Sequence, residues 1–161
     1  MFGFCVLTTS DRCADGKMDD ISGELAVELL SNYGFLLIEK QIVPDDFHKI
    51  TSTLEKWTLR DEINFIVTTG GTGLSDRDVT PQATLSVIEY QVTGIVDYVR
   101  LKSAEKNKKS ILSRSVAGVK NHTLIINTPG SPSGVSDTLE NILDVINHSL
   151  NVLINSTSKH N

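Results

Sequence analysis

The sequence predicts an α/β domain of three layers, with a mostly parallel sheet covered by helices on both faces. Three observations predict it. Short unbroken apolar runs alternate with helical patterns along the chain, and strands written that way are the ones buried on both faces. No repeat, low-complexity tract or long linker divides the 161 residues, a length that suits one domain. Finally, polar or glycine-rich segments follow three of the apolar runs, at the carboxyl edge where open parallel sheets take their ligands.

The elements follow in order. Residues 2–7 form an apolar run ending at Thr8-Thr9-Ser10, a buried strand opening into a polar loop. Asp20 or Ser22 can cap a helix carrying Leu25, Ala26, Leu29 and Leu30 on one face, and Gly34 suits its end. Residues 35–43 read as a strand stopped by Pro44. Asp45 then stands as the N-cap of a helix whose Phe47, Ile50, Leu54 and Trp57 follow 3-4-3 spacing. Residues 63–68 are a third strand running into Gly70-Gly71-Thr72-Gly73. Thr80-Pro81 reads as a cap with proline at the first helical position. A helix is expected over 95–104, a strand at 124–126, and a last helix with Leu139, Ile142, Leu143, Ile146, Leu150 and Leu153 in one stripe. The domain is expected to span residues 1–155, with 156–161 as a C-terminal tail.

Composition narrows the function classes. Fifteen Lys and Arg against twenty Asp and Glu give a net charge of −5, which argues against a broad nucleic-acid footprint. The most basic stretch, 102–109, also holds Glu105 and reads as a solvated helix end or loop. No run approaches the roughly 20 apolar residues of a membrane span, and the N-terminus lacks a signal-peptide pattern. A cytoplasmic protein is expected. Cys5 and Cys13 form no zinc motif, Cys5 reads as a small core residue, and the four histidines are too scattered to serve as ligands.

Thr68-Thr69-Gly70-Gly71-Thr72-Gly73 is neither a Walker A sequence nor GxGxxG. Its glycines let backbone N–H groups approach phosphate oxygens, and its hydroxyls donate further bonds. A plain tight turn explains the same residues as well as a ligand site does. Asp76-Arg77-Asp78 follows immediately. Carboxylates beside a phosphate loop suit Mg²⁺, which takes one or two carboxylates plus phosphate oxygens and water, and Arg77 offers a planar fork to an anion. Read alone, the two aspartates are better explained as helix-start residues. Asp45 and Asp46 are explicable as caps, and Pro129-Gly130-Ser131-Pro132 either presents N–H groups to an anion or is a rigid turn.

Taken in order, these segments resemble the molybdenum-cofactor biosynthesis family of molybdopterin adenylyltransferases, the MogA/MoaB-like domains. The matching residues are Thr9-Ser10-Asp11-Arg12, Asp20-Ile21-Ser22-Gly23, Val43-Pro44-Asp45-Asp46, the 68–73 loop, Arg77-Asp78-Val79-Thr80-Pro81, Leu112-Ser113-Arg114, Ala117-Gly118-Val119 and Pro129-Gly130-Ser131-Pro132. The resemblance implies a homotrimer that adenylylates molybdopterin with Mg²⁺-ATP and releases pyrophosphate. It implies that Asp45 and Asp78 are the catalytic, metal-binding aspartates. It also implies that Ser10, Asp11, Asp20, Ser22, Gly70, Gly71, Thr72, Gly73, Arg77, Pro129, Gly130, Ser131 and Pro132 contact nucleotide or pterin. A downstream molybdenum-insertion enzyme is an implied partner. Two departures stand out: Ser133-Gly134 follows Pro132 where many relatives carry Lys, and Ser75-Asp76 replaces the usual Thr-Pro. Apolar residues at 95–99 are the expected interface. A non-catalytic molybdopterin carrier or trimeric scaffold of the same fold is the alternative. A generic nucleotide phosphatase lacks a nucleophile or base beyond the same aspartates.

Overall fold

The computed structural model describes residues 1–157, with side chains through Asn155; residues 158–161, in the expected tail, lie outside the described residues. In chain order the elements are β1 (Gly3–Thr9), α1 (Asp11–Ala14), α2 (Ile21–Asn32), β2 (Leu36–Val43), α3 (Phe47–Thr58), β3 (Phe65–Thr69), α4 (Thr80–Val87), β4 (Tyr90–Gln91), α5 (Thr93–Lys106), a 3-10 turn (Lys108–Leu112), β5 (Ala117–Lys120), β6 (Thr123–Thr128) and α6 (Pro132–Thr157). The last helix thus continues past residue 155. The strands form one sheet in the order β2-β1-β3-β6-β5-β4. The first four are parallel, while β5 runs antiparallel to both β6 and β4. The predicted mostly parallel α/β architecture is therefore the observed one.

Alternation along the strands builds two cores, one on each face. Phe4, Val6, Phe65, Val67, Leu124 and Ile126 face α2, α5 and α6. Cys5, Leu7, Ile66 and Ile125 face Ile50, Leu54 and Trp57 of α3 and Ala83 of α4. Each buried aliphatic side chain contributes about 1.5–3 kcal/mol, so central strands made of such residues hold the sheet rigid. Burial pushes the Cys5 thiol up to about 12, as befits a small core residue. Both sheet edges are blunted: β4 has two residues, and β2 carries Glu39 and Lys40.

Several local expectations are corrected. Asp46, not Asp45, caps α3, accepting Lys49 N–H at 2.8 Å. Thr80 is the first residue of α4, with Val79 at the cap position making no side-chain bond. The cap-then-proline arrangement occurs instead at α6, where Ser131 Oγ accepts Gly134 N–H at 3.1 Å and Pro132 opens the helix. The 95–99 segment is not an exposed apolar face, because Ile95 and Val96 are buried and Val99 packs against them. On α5 it is Tyr98 and Leu101 that face outward.

Candidate functional site at the carboxyl edge of the sheet

The parallel strands end in a belt of buried polar residues: Thr8, Thr9, Thr68, Thr69, Asn127 and Thr128. Asn127 Nδ2 donates to Thr68 Oγ1 and Thr84 Oγ1, both at 2.9 Å, and its Oδ1 accepts Val116 N–H at 3.1 Å. Fully satisfied, such a belt fixes the backbone above it.

On that floor the chain turns through Gly70 and Gly71, whose φ values of 93° and 65° favour glycine. Space demands glycine as well: a Cβ on Gly70 would strike the Thr9 carbonyl, and one on Gly71 the Thr80 hydroxyl. Gly70 N–H donates to Thr128 O and Thr80 N–H to Gly71 O, each at 3.2 Å. The Thr9 and Thr80 hydroxyls pair beneath at 2.8 Å. Arg114 fastens the loop from its other side, through N–H to Thr72 O at 2.9 Å, Nε to Gly73 O at 2.7 Å and Nη2 to Asp78 O at 2.6 Å. The amides of Gly71, Thr72 and Gly73 have no acceptor among the described residues. Three consecutive unpaired donors on a fixed loop form a cradle for an anion.

The Pro129-Gly130-Ser131-Pro132 loop lies against this one. Buried Ser22 donates its hydroxyl to Gly130 O at 2.7 Å, and a Cβ on Gly130 would sit 3.2 Å from Gly70 Cα. The structure thus brings together Ser22, Gly70 and Gly130, which lie far apart in sequence.

Three aspartates stand beside the loops: Asp11 and Asp45 just past the ends of β1 and β2, and Asp78 just before α4. Asp11 and Asp45 exchange bonds, with Asp11 N–H donating to Asp45 Oδ2 at 3.1 Å and Asp45 N–H to Asp11 Oδ1 at 3.0 Å. Arg77 forks onto Asp11 through Nε at 3.1 Å and Nη2 at 2.8 Å. Those Arg77 bonds hold the Asp11 carboxyl below the usual aspartate range. Asp45 moves the other way: burial raises its pKa, and the charges of Asp11 and Asp78 add to the effect, over the opposing Asp11 N–H bond and Arg77 charge. Asp78 Oδ2 accepts Ser75 N–H at 2.9 Å. Among the described residues no group of three or more His, Cys, Asp or Glu side chains forms a ready metal cage. Two carboxylates whose charges repel, next to unpaired amides, fit a divalent cation that completes its shell with phosphate oxygens and water.

Two predicted residues have local duties. Ser10 caps α1, its Oγ accepting Cys13 N–H at 3.2 Å. Asp20 caps α2, accepting Gly23 N–H at 2.9 Å and the Thr8 hydroxyl at 2.8 Å, and pairs with Lys40 at 2.8 Å. Burial lowers the Lys40 pKa, but its bonds to Asp20 and Glu24 outweigh that and leave it raised.

Beyond the loops opens a cavity of about 720 Å³ between Thr72, Gly73, Pro129 and Ser131 on one side and α5 with the 3-10 turn on the other. Its walls include Ser113, Ser115, Arg100, Lys106 and Lys109. The sequence gives no functional role to these or to Arg114: Lys106 and Lys109 fall in the stretch that reads as a solvated helix end or loop, and Leu112-Ser113-Arg114 carries only the family resemblance. A second cavity of about 530 Å³, at the amino edge, holds none of the predicted residues.

A mostly parallel sheet bearing paired glycine loops and carboxylates at its carboxyl edge defines an α/β domain built to hold an anionic ligand there. Comparison with known proteins specifies the family. Residues 5–148 match the family described as "Probable molybdopterin binding domain". A molybdopterin adenylyltransferase of Helicobacter pylori strain J99 is 36% identical over 151 residues, covering 92% of this chain and 86% of that protein. The molybdenum cofactor synthesis protein cinnamon of Drosophila melanogaster is 35% identical over 151 residues, and there the match spans 25% of the relative's length. Among solved structures, the molybdopterin biosynthesis enzyme MoaB of Thermus thermophilus superposes with a TM-score of 0.89 at 38% identity, covering 95% of this chain and 96% of that one. The chain belongs to the molybdopterin-binding family of molybdenum cofactor biosynthesis.

Proposed function

We propose that the protein adenylylates molybdopterin. The terminal phosphate of molybdopterin attacks the α-phosphorus of ATP, a P–O bond forms as the α–β bond breaks, and pyrophosphate leaves. The observation that carries this reading is the set of unpaired amides at Gly71, Thr72 and Gly73 beside Asp45 and Asp78. Phosphoryl chemistry of this kind depends on charge neutralisation and in-line positioning, and asks for no covalent protein intermediate.

In this reading the loop amides hold ATP phosphates and Arg77 exchanges Asp11 for a phosphate oxygen. The Pro129 loop and Ser22 set the pterin side. Asp45 and Asp78 would hold Mg²⁺, which neutralises charge developing on the phosphates. The raised pKa of Asp45, set first by burial and then by the charges of Asp11 and Asp78, supports this role, because a bound cation offsets both the lost hydration and the repulsion. Ser10, Asp11 and Asp20 act by shaping the edge. The proposal extends to a homotrimer in the cytoplasm that passes its product to a molybdenum-insertion enzyme. Among the described residues no helix is long and apolar enough to cross a membrane.

The test is pyrophosphate release from ATP with and without molybdopterin at saturating Mg²⁺. Release that requires molybdopterin supports the reading. Stoichiometric molybdopterin binding with release at background puts the non-catalytic carrier in its place. Asp78→Ala should slow transfer on the order of 100-fold or more while binding molybdopterin nearly as before, since lost stabilisation of developing charge amounts to several kcal/mol. Near wild-type turnover in that variant would remove Asp78 from the site.

A further inference from the structure

The charges of the larger cavity do not follow those of the molecule. The chain as a whole is acidic, with a net charge of −5, yet the cavity is lined by Arg100, Lys106 and Lys109 against a single carboxylate, Asp137. Two of the three bases are already neutralised. Lys106 pairs with Asp137 at 2.6 Å. Arg100 pairs with Asp97 at 2.9 Å and donates Nε to Ser113 O and Nη2 to Ser115 O. Lys109 has no carboxylate partner among the described residues. Its backbone is held where the 3-10 turn begins, its N–H donating to Asn107 Oδ1 at 3.1 Å, and the residue lines the cavity wall.

What shares that cavity gives the ligand its chemistry. Ser131 lines it from the loop leading into α6, Ser133 from the first turn of α6, and Ser113 from the segment after the 3-10 turn. The amide of Ser131 has no protein acceptor among the described residues. An unpaired ammonium, hydroxyls and a free amide around one volume suit a phosphate monoester dianion, whose three oxygens accept several charge-assisted bonds at once. An isolated carboxylate or a neutral ring would leave most of those donors unused.

We infer that Lys109 is the substrate-phosphate contact of this cavity, a specificity-determining residue supplied by the 3-10 turn rather than by the first turn of α6. The inference rests on the proposed adenylyl transfer for the identity of the phosphate, which belongs either to the nucleotide or to the terminal group of molybdopterin. Ser133 lines the same cavity, so a lysine moved from position 109 to 133 keeps the positive charge in the same volume.

The experiment titrates AMP and, separately and anaerobically, molybdopterin into the full chain, Lys109→Ala, Lys109→Arg and the double variant Lys109→Ala/Ser133→Lys. Thermal melts confirm that all four fold; positions 109 and 133 are exposed. Lys109→Ala should weaken one of the two ligands about tenfold, the size of one partly hydrated charge-assisted bond. Raising the salt should shrink that gap. Lys109→Arg and the double variant should both regain most of the loss. A loss confined to AMP assigns the nucleotide phosphate, and one confined to molybdopterin assigns the pterin phosphate. Binding of both ligands within twofold of the parent by Lys109→Ala overturns the inference, and so does a loss that Ser133→Lys fails to recover. A wild-type chain that releases no pyrophosphate, while Lys109→Ala still binds weakly, would sink the proposed reaction and leave the phosphate contact standing.

Discussion

Asp45 is where a single residue's chemistry and stability pull apart. It receives the Asp11 N–H, and its burial, with the charges of Asp11 and Asp78 beside it, raises its pKa. A carboxyl whose folded pKa lies above its unfolded value contributes stability that is fully present below the unfolded pKa and is lost as pH rises through the folded one. Asparagine keeps the acceptor for Asp11 N–H and discards the charge. Asp45→Asn should therefore match the parent's thermal stability in acid and exceed it at neutral pH. The group is only partly buried, so water screening limits the gain to on the order of 1–2 °C in Tm. The same substitution should abolish Mg²⁺-dependent pyrophosphate release. Melts from about pH 3 to 8 check the first claim; an Asp45→Asn chain that is less stable at neutral pH would place Asp45 among structural carboxylates. Sequence alone could not separate Asp45 from Asp46, because adjacent aspartates after Pro44 fit a cap equally well. Only the start of α3 at Phe47 decides that Asp46 takes the helix and leaves Asp45 to the edge.

At the scale of elements, the central strands were legible because burial on both faces writes them as unbroken apolar runs. β4 and β5 were not. Two residues carry no period, and β5 contains Gly118, which admits the close approach of β4: a Cβ there would meet Ile88 Cδ1 at 2.5 Å and Tyr90 O at 2.6 Å. The glycine loop was half legible. Its composition suggested backbone contact with phosphate, but the reason Gly71 must be glycine lies in Thr80, nine residues on. That contact also explains why Thr80 is not a cap, since its hydroxyl belongs to the Thr9 pair under the loop. Gly71→Ala combines a left-handed φ with a steric collision against Thr80. It should cost about 2–4 kcal/mol, the sum of backbone strain and a broken buried hydroxyl pair. At roughly 2–4 °C per kcal/mol for a domain of this size, Tm should fall by about 5–15 °C, with phosphate binding lost. Gly73→Ala, where φ is ordinary and the nearest atom is the flexible Asp78 carboxylate at 2.9 Å, should melt close to the parent. Equal losses in the two variants would mean that strain at Gly71 does not set the loop.

For the whole molecule, the surface left by the two cores is the starting point of assembly. With Ile95 and Val96 turned inward, the outward apolar residues of α5 are Tyr98 at 46% and Leu101 at 69% exposure. The neighbouring 3-10 turn adds Ile111 at 61% and Leu112 at 53%. Large apolar side chains gathered on packed neighbouring elements are what a monomer of this size ordinarily hides, and α5 carries them beside the cavity whose wall it forms. Closed cyclic symmetry would bury the same patch in every copy. The resemblance to the adenylyltransferase family supplies the number three, so light scattering should return about three times the 17.6 kDa chain mass. Leu101→Glu places a charge on the most exposed apolar side chain of α5. Burying it unpaired costs several kcal/mol at each of the contacts the ring repeats, enough to shift the mass to one chain at micromolar concentration while each chain keeps its melting transition. A parent that scatters as a single chain at every concentration would contradict the trimer. A Leu101→Glu variant that stays trimeric would keep the assembly and move its interface off α5.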